Sequence, residues 1–364
     1  MKFPFLIQLM SKANAQEVKL FNKYMFRSLK MFFIPEKLKI GDTIGIFTPS
    51  VPGYSISNEV FEQGIKNLEL FGFKVKLGEV TAKKSSQGYR SAPPIERANE
   101  LNQLFKDKEV KAILPTIGGN NSNSLIPYLD YKLIKENPKI FSGYSDVTSL
   151  HLAIMKYANL ATFYGPGLMP HWTEYPSEVE ESIRSFMQAV EGKSRELRPF
   201  AKWSNHARNW RNDDWKKLPR DWKDNTGWKV LKQGSANAPL FAFNLNTLTA
   251  NAGTPHFPDL KGKVLLLEQM DCSYANEERR LRQLQLMGVF DSLAGLIIGK
   301  PEVENSESAP FNLDNLILEV VSNRNYPIIT NFDCSHTIPM HTIRLGQLVS
   351  FQASKKFLEV IKVE

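Results

Sequence analysis

A serine, a glutamate and a histidine in this chain stand where acyl-transfer chemistry could use them. Ser122 follows an apolar run, Ala112 to Ile117, that breaks at Gly118-Gly119-Asn120-Asn121. Gly and Asn tolerate the positive φ of a sharp turn, so the pattern predicts a strand, a tight turn and a short helix beginning near Ser122. A hydroxyl at such a junction lies beside outward-pointing amides that can stabilise an oxyanion. The same residues also suit plainer roles: Ser122 or Ser124 as a helix N-cap, or the turn as a cradle for an anion. A serine nucleophile needs a base, and the base needs an orienting group. Glu268 ends the apolar run Val264 to Leu267, although a lone Glu at a strand end more often just opens a solvated loop. His336 lies in the loop sequence Phe-Asp-Cys-Ser-His-Thr-Ile-Pro-Met of residues 332–340, and spacing does not exclude His341 as a competitor.

Other chemistries find less support. Six histidines form no HExxH pattern, and Cys272 and Cys334 form no CxxC pair. Neither a metal centre nor a disulfide scaffold is therefore expected, and no cofactor. The charge of +8, spread over 364 residues without a Lys/Arg block, does not point to nucleic acid. Hydrophobic and charged fractions of 42% and 23% are those of a globular protein. No apolar run reaches membrane-spanning length. Residues 1–15 only weakly imitate a signal peptide, so a cytoplasmic protein with an N-terminal extension is expected.

The elements that must position these residues begin near Phe33. Thr43–Thr48, Phe73–Leu77, the run into Gly118 and Lys139–Ser142 read as strands. Asn58–Phe71, Pro94–Phe105 and Val147–Tyr157 read as helices. Repeated βα units imply a doubly wound, mainly parallel sheet of the flavodoxin or amidotransferase kind, with ligands at the carboxyl ends of its strands. Residues 171–238 break the pattern: five of six tryptophans (203, 210, 215, 222, 228) lie among charged and polar residues with poor helical spacing. That stretch reads as an elaborated connection rather than a core segment. A mixed α+β domain follows. It has strands at 264–267, 293–299 and 327–330, helices at 275–287 and 313–321, and a terminal hairpin of 347–352 with 357–361. The expected organisation is thus an extension (1–32), an α/β domain (33–170), the Trp-rich connection (171–238) and an α+β domain (239–364).

An ordered set of short motifs runs through this framework: Gly-Ile-Phe-Thr-Pro-Ser (45–50), Ile-Glu-Arg-Ala (95–98), the Gly-Gly turn with Ser122, Gly-Tyr-Ser-Asp (143–146), Tyr-Gly-Pro (164–166), Asn-Leu-Asn-Thr-Leu (244–248), the strand ending in Glu268, and Asp-Cys-Ser-His (333–336). Together they resemble the LD-carboxypeptidase family of serine peptidases, and within it the microcin C immunity subgroup, over nearly everything from Phe33 onward. The resemblance implies Ser122 as nucleophile, His336 as general base and acid, and Glu268 as the carboxylate that orients it. It implies an oxyanion hole from the backbone N–H of Asn123, with a second donor at Ala92, where the family usually has Gly. Phe241-Ala242-Phe243-Asn244 stands where Gly-Gly-Asn is usual, a change that narrows the cleft and sets Asn244 against substrate.

Members of the immunity subgroup hydrolyse the amide between an aminoacyl group and a nucleotide-like part, and a tryptophan of theirs stacks on the base. Classical members instead remove the terminal D-alanine of a murein tetrapeptide. Trp203 and Trp210 occupy the most similar context, and an aromatic face suits a nucleobase. Trp215, Trp222 and Trp228 are expected to pack a joint between domains. The expected partner is a small peptide or aminoacyl-nucleotide substrate, with no nucleic acid and no membrane, in a homodimer. The rival class is a non-catalytic anion- or nucleotide-binding module, disfavoured by the absence of a GxGxxG or P-loop lysine.

Overall fold

The computed structural model describes residues 32–173, 180–212, 214–321, 324–355 and 357–360. The expected N-terminal extension lies almost entirely outside them, as does Ile361 of the terminal hairpin.

Strands β1 (Thr43–Phe47), β2 (Lys74–Leu77), β3 (Val110–Pro115), β4 (Ile140–Gly143) and β5 (Phe163–Tyr164) form a parallel sheet in the order β5-β4-β3-β1-β2. Its side chains alternate between two cores, as the two-residue period of a strand requires. Ile44, Ile46, Ala112 and Leu114 meet Phe61, Leu68 and Trp172 on one face. Ile113 and Phe141 meet Leu101, Phe105 and Leu150 on the other. Both faces are covered, which is why β1, β3 and β4 are buried almost throughout, whereas the edge strand β2 alternates. The helix Asn58–Leu70 starts where the Ser57 hydroxyl caps Val60 N, and Pro94 opens the helix Pro94–Lys106 from its first turn. The expected helix at 147–157 divides into a 3-10 turn (145–147), an α segment (148–153) and a π segment (154–158).

The second sheet takes β6 (Arg195–Leu197), β9 (Lys229–Lys232), β10 (Ser235–Asn244), β11 (Val264–Glu268), β13 (Gly295–Gly299), β15 (Ile328–Phe332), β17 (Gln347–Gln352) and β18 (Phe357–Val360). Their order is β6-β18-β17-β10-β11-β13-β15-β9, with a parallel centre from β10 to β15 and antiparallel flanks. The short pairs β7 (Lys202–Trp203) with β8 (Lys223–Asp224) and β12 (Asp271–Ser273) with β14 (Val303–Asn305) lie outside the two large sheets. β16 (Ile343–Arg344) returns to the first sheet and pairs antiparallel with β5, Ile343 opposite Tyr164.

Residues 171–238 are not merely a connection. Glu180–Val190 is a helix, and β6 and β9 are the two edge strands of the second sheet. Trp172, Phe186, Val190 and Trp215 enter the first core. Trp228 is fully buried against Phe332 and His341. Tertiary packing of aromatic side chains, rather than a sustained periodic pattern, gives the segment its structure.

Candidate active site

Both sheets aim their carboxyl ends at one set of residues. On the first sheet, β1 runs into Thr48-Pro49-Ser50, β3 into the Gly-Gly turn and Ser122, β4 into Tyr144–Asp146, and β5 ends on Tyr164 itself. On the second, β10 ends on Asn244, β11 on Glu268, and β15 leads through Asp333 to His336. The register places Asn244 beside Glu268 as partners in adjacent parallel strands.

The Ser122 turn is held by side chains from two neighbouring loops and from the helix Pro94–Lys106. Ser50 Oγ accepts the amides of Asn120 and Asn121 at 3.1 and 3.2 Å. The Asp146 carboxylate accepts those of Asn121 and Ser122 at 3.1 and 3.0 Å. Buried Arg97, from the Ile-Glu-Arg-Ala motif, donates to Pro49 O, Ala92 O, Asn121 Oδ1 and Ser124 Oγ, so one guanidinium fork joins three loops. Gly119, at φ +152°, approaches Ser50 so closely that a Cβ would lie 2.2 Å from its Oγ. Ser122 is buried at the start of a 3-10 helix (Ser122–Tyr128), and its Oγ donates to Asp146 O at 2.6 Å. Asn123 follows, exposed, in the first turn, where an amide has no intrahelical acceptor. Ala92 is buried beside Ser91, whose amide donates to Ser50 O at 2.9 Å.

Glu268 and His336 are in direct contact: Nδ1 of the imidazole lies 2.7 Å from Oε2 of the carboxylate. Glu268 is otherwise saturated. Its Oε1 accepts from Tyr164 OH at 2.5 Å and Asn244 Nδ2 at 3.0 Å, and its Oε2 also accepts from Ser335 Oγ at 3.1 Å. Gly299 leaves room for this approach, since a Cβ there would lie 2.4 Å from Cys334 O and 2.9 Å from Glu268 Cβ. Burial favours the neutral forms of both groups. It is outweighed by their mutual attraction and by the hydrogen bonds, so the carboxyl is held below its ordinary range. The imidazole is lifted above its own, with Glu302 contributing. With Nδ1 committed to Glu268, Nε2 is the ring nitrogen left for proton transfer.

The turn of residues 143–146 connects the serine and histidine halves. Asp146 holds the Ser122 amide. Ser145, at φ +60°, donates its N–H to Tyr164 OH at 3.1 Å, and that hydroxyl donates to Glu268. The Tyr144 ring lies edge-on to His336, with centroids 4.9 Å apart. The motif Gly-Tyr-Ser-Asp was visible in the sequence, but nothing local revealed that it spans both sheets.

The other candidates separate clearly. His341 is buried, stacked on Phe200 at 4.2 Å, with Nε2 given to Arg198 O, and burial depresses its pKa to about 4. It is a structural residue. Asn244, expected against substrate, gives its amide to Glu268 while its Oδ1 accepts Thr247 N at 3.0 Å and caps the next helix. Its Oδ1 and one of its two amide hydrogens are thus held within the protein. Trp210 packs on the first core, whereas Trp203 adjoins Ser204, whose backbone pairs twice with Ile338, two residues past His336. Among the described residues, no group of three or more His, Cys, Asp or Glu side chains is placed to hold a metal ion, and no helix is long and apolar enough to cross a membrane.

Family models of the LD-carboxypeptidase N-terminal and C-terminal domains match residues 44–165 and 237–351. The chain is 36% identical over 314 residues to a Vibrio cholerae protein whose name assigns it to the carboxypeptidases, covering 85% of this chain and 92% of that one. It is 35% identical over 327 residues to the microcin C7 self-immunity protein of Escherichia coli, covering 89% and 94%. A solved structure of the microcin C7 self-immunity protein in complex with aspartyl sulfamoyl adenosine superposes with a TM-score of 0.85 at 33% identity, over 91% of this chain and 99% of that one. With its two-sheet α/β architecture, the chain belongs to the LD-carboxypeptidase family and is a serine-type peptidase.

Proposed function

We propose that the protein hydrolyses the amide bond of an aminoacyl-nucleotide or related peptide conjugate, with Ser122, His336 and Glu268 as its triad. The observation that carries this reading is the His336–Glu268 contact at 2.7 Å, with every other approach to the carboxylate filled by Tyr164, Asn244 or Ser335. Such a carboxylate fixes the ring tautomer and stabilises the imidazolium that forms during attack.

Ser122 Oγ, which donates to the Asp146 carbonyl in the resting enzyme, first leaves it for His336 Nε2. Oγ then attacks the acyl carbon as its proton passes to Nε2. The oxyanion is met by the Asn123 N–H, with the Ser91–Ala92 loop as the second donor. The carbon–nitrogen bond breaks and the leaving nitrogen takes the proton from Nε2. Water, deprotonated by the same imidazole, attacks the serine ester, and Oγ leaves with that proton. One water is consumed and the enzyme returns unchanged.

The substrate class rests on Trp203, a half-buried aromatic face beside the His336 loop, and on the relative whose solved complex holds aspartyl sulfamoyl adenosine. Ser122→Ala should abolish release of aspartate from aspartyl sulfamoyl adenosine while the folded state persists. Full turnover by that variant would sink the mechanism. A murein tetrapeptide assayed alongside distinguishes the classical carboxypeptidase activity, which would release D-alanine instead. A pure binding module would hold nucleotide without turnover and be indifferent to His336→Ala. The same family reading carries a cytoplasmic homodimer, and sedimentation at the 41.5 kDa of a single chain would overturn the dimer.

A further inference from the structure

We infer that Lys300 and Asp333 form a positioning device that fixes the Trp203 ring relative to the His336 loop, and so sets the preference for a base-bearing leaving group. This rests on the substrate reading above. Both side chains are almost wholly buried and pair directly, Lys300 Nζ to Asp333 Oδ1. A buried ion pair survives only with further hydrogen bonds around it, and here they come largely from one segment. The Asp333 carboxylate also accepts from Phe200 N at 3.3 Å, Asn225 Nδ2 at 3.1 Å and Trp228 Nε1 at 2.8 Å. All three donors belong to the Trp-rich stretch between the sheets.

The stretch is tied again on the far side of the histidine. Ser204 N donates to Ile338 O at 2.8 Å and Ile338 N to Ser204 O at 3.0 Å. Residues 334–337, His336 among them, are therefore bracketed at Asp333 and at Ile338 by the same segment. Trp203 sits at that second tie. Two cations lie against its ring, Lys300 Nζ at 5.3 Å from the centroid and Lys223 Nζ at 5.4 Å. Lys300 thus touches the ring with the same ammonium that Asp333 holds. A cation on an aromatic face restricts the ring's orientation as well as attracting it. The ion pair carries that restriction to the catalytic loop.

The test compares aspartyl sulfamoyl adenosine with the same acyl sulfamate esterified to methanol instead of adenosine. Lys300→Met alone would strand a buried carboxylate, so the informative variant is Lys300→Met with Asp333→Asn, which removes both charges. Its ratio of kcat/KM for the adenosine ester over the methyl ester should fall about tenfold, mostly through KM. Trp203→Ala added to that variant should lower the ratio little further, because residues acting through one contact are non-additive. Lys300→Arg, which keeps the cation, should retain most of the wild-type ratio and provides the reading if the double variant does not fold. An unchanged ratio, a loss equal for both esters, or a full additional effect of Trp203→Ala overturns the positioning role alone. A wild-type enzyme with no preference for the adenosine ester overturns the substrate reading and this inference with it.

Discussion

The hydroxyl of Tyr164 and the carboxylate of Glu268 meet at 2.5 Å, although one ends a strand of the first sheet and the other a strand of the second. Because the same hydroxyl accepts Ser145 N–H, it ties the loop beneath Ser122 to the group that orients His336. Tyr164→Phe keeps the ring and deletes the tie. The part-buried Ser145 amide loses its acceptor, at a cost of about 1 kcal/mol, and Glu268 loses one of its donors. A lower unfolding midpoint and a kcat/KM reduced about tenfold or more are expected from denaturant titration and steady-state kinetics. A variant unchanged in both would show that the contact links nothing.

The charge state of His336 gives a pH signature. Glu268 holds the imidazole pKa above its ordinary value, so the ring keeps its proton to higher pH than an ordinary histidine. A general base must be neutral, hence kcat/KM should rise with pH through an acid limb whose midpoint lies above 6.5, the ordinary value for histidine. The stability term runs the other way. Because the folded-state pKa is raised, the pair's contribution is present below the unfolded value and is lost as pH climbs through the folded value. Glu268→Gln removes the attraction while burial still disfavours the cation. The acid limb should then move below 6.5 as kcat drops by up to about 10,000-fold, the scale set by comparable triads. A limb that stays in place in the variant would assign the titration to another group.

Arg97 is predicted to matter more for the Ser122 turn than for the helix that carries it. Its guanidinium is fully buried and reaches Pro49 O, Ala92 O, Asn121 Oδ1 and Ser124 Oγ. Lys supplies a point charge without the fork, so Arg97→Lys should restore little of what Arg97→Met loses. Arg97→Met leaves several acceptors without donors and should cost about 3 kcal/mol or more of stability. Activity measured well below the unfolding midpoint should still be depressed, because the turn presenting Asn123 loses its brace. Recovery of full activity in the folded fraction would limit Arg97 to stability.

What could be read from the chain follows from how local each signal is. The βα units, the Gly-Gly turn and the apolar strand before Glu268 were legible because strand and helix periods and turn residues act over a few positions. The ordered motifs also named Ser122, Glu268 and His336, and the contact between the last two lies across 68 residues. Asn244 was visible as a motif residue, yet no pattern could say that its amide reaches Glu268. Asp333, Lys300 and Trp203 were three unrelated side chains until tertiary structure buried the first two together under the third. The stretch 171–238 misled for the same reason. Its aromatic residues enter cores built by distant strands, and nothing in their own spacing announces that.

Gly119 and Gly118 provide a paired test of how closely the serine turn must be built. At Gly119 the backbone has φ +152°, and an added Cβ would stand 2.2 Å from Ser50 Oγ and 2.9 Å from Val51 Cγ2. Ser50 Oγ is itself the acceptor for the Asn120 and Asn121 amides, so it cannot move aside without releasing them. At Gly118 a Cβ would meet Ser145 Cβ at 3.4 Å, an ordinary contact. Gly119→Ala should therefore cost several kcal/mol and displace Ser122, with activity down about a hundredfold. Gly118→Ala should fold and turn over substrate within about threefold of wild type, since a surface-like contact of this kind usually changes stability by less than about 0.5 kcal/mol. Thermal unfolding and kcat/KM measured on both variants decide the matter. Equal effects at the two positions would mean that the turn needs small residues in general, rather than the close approach of Gly119 to Ser50.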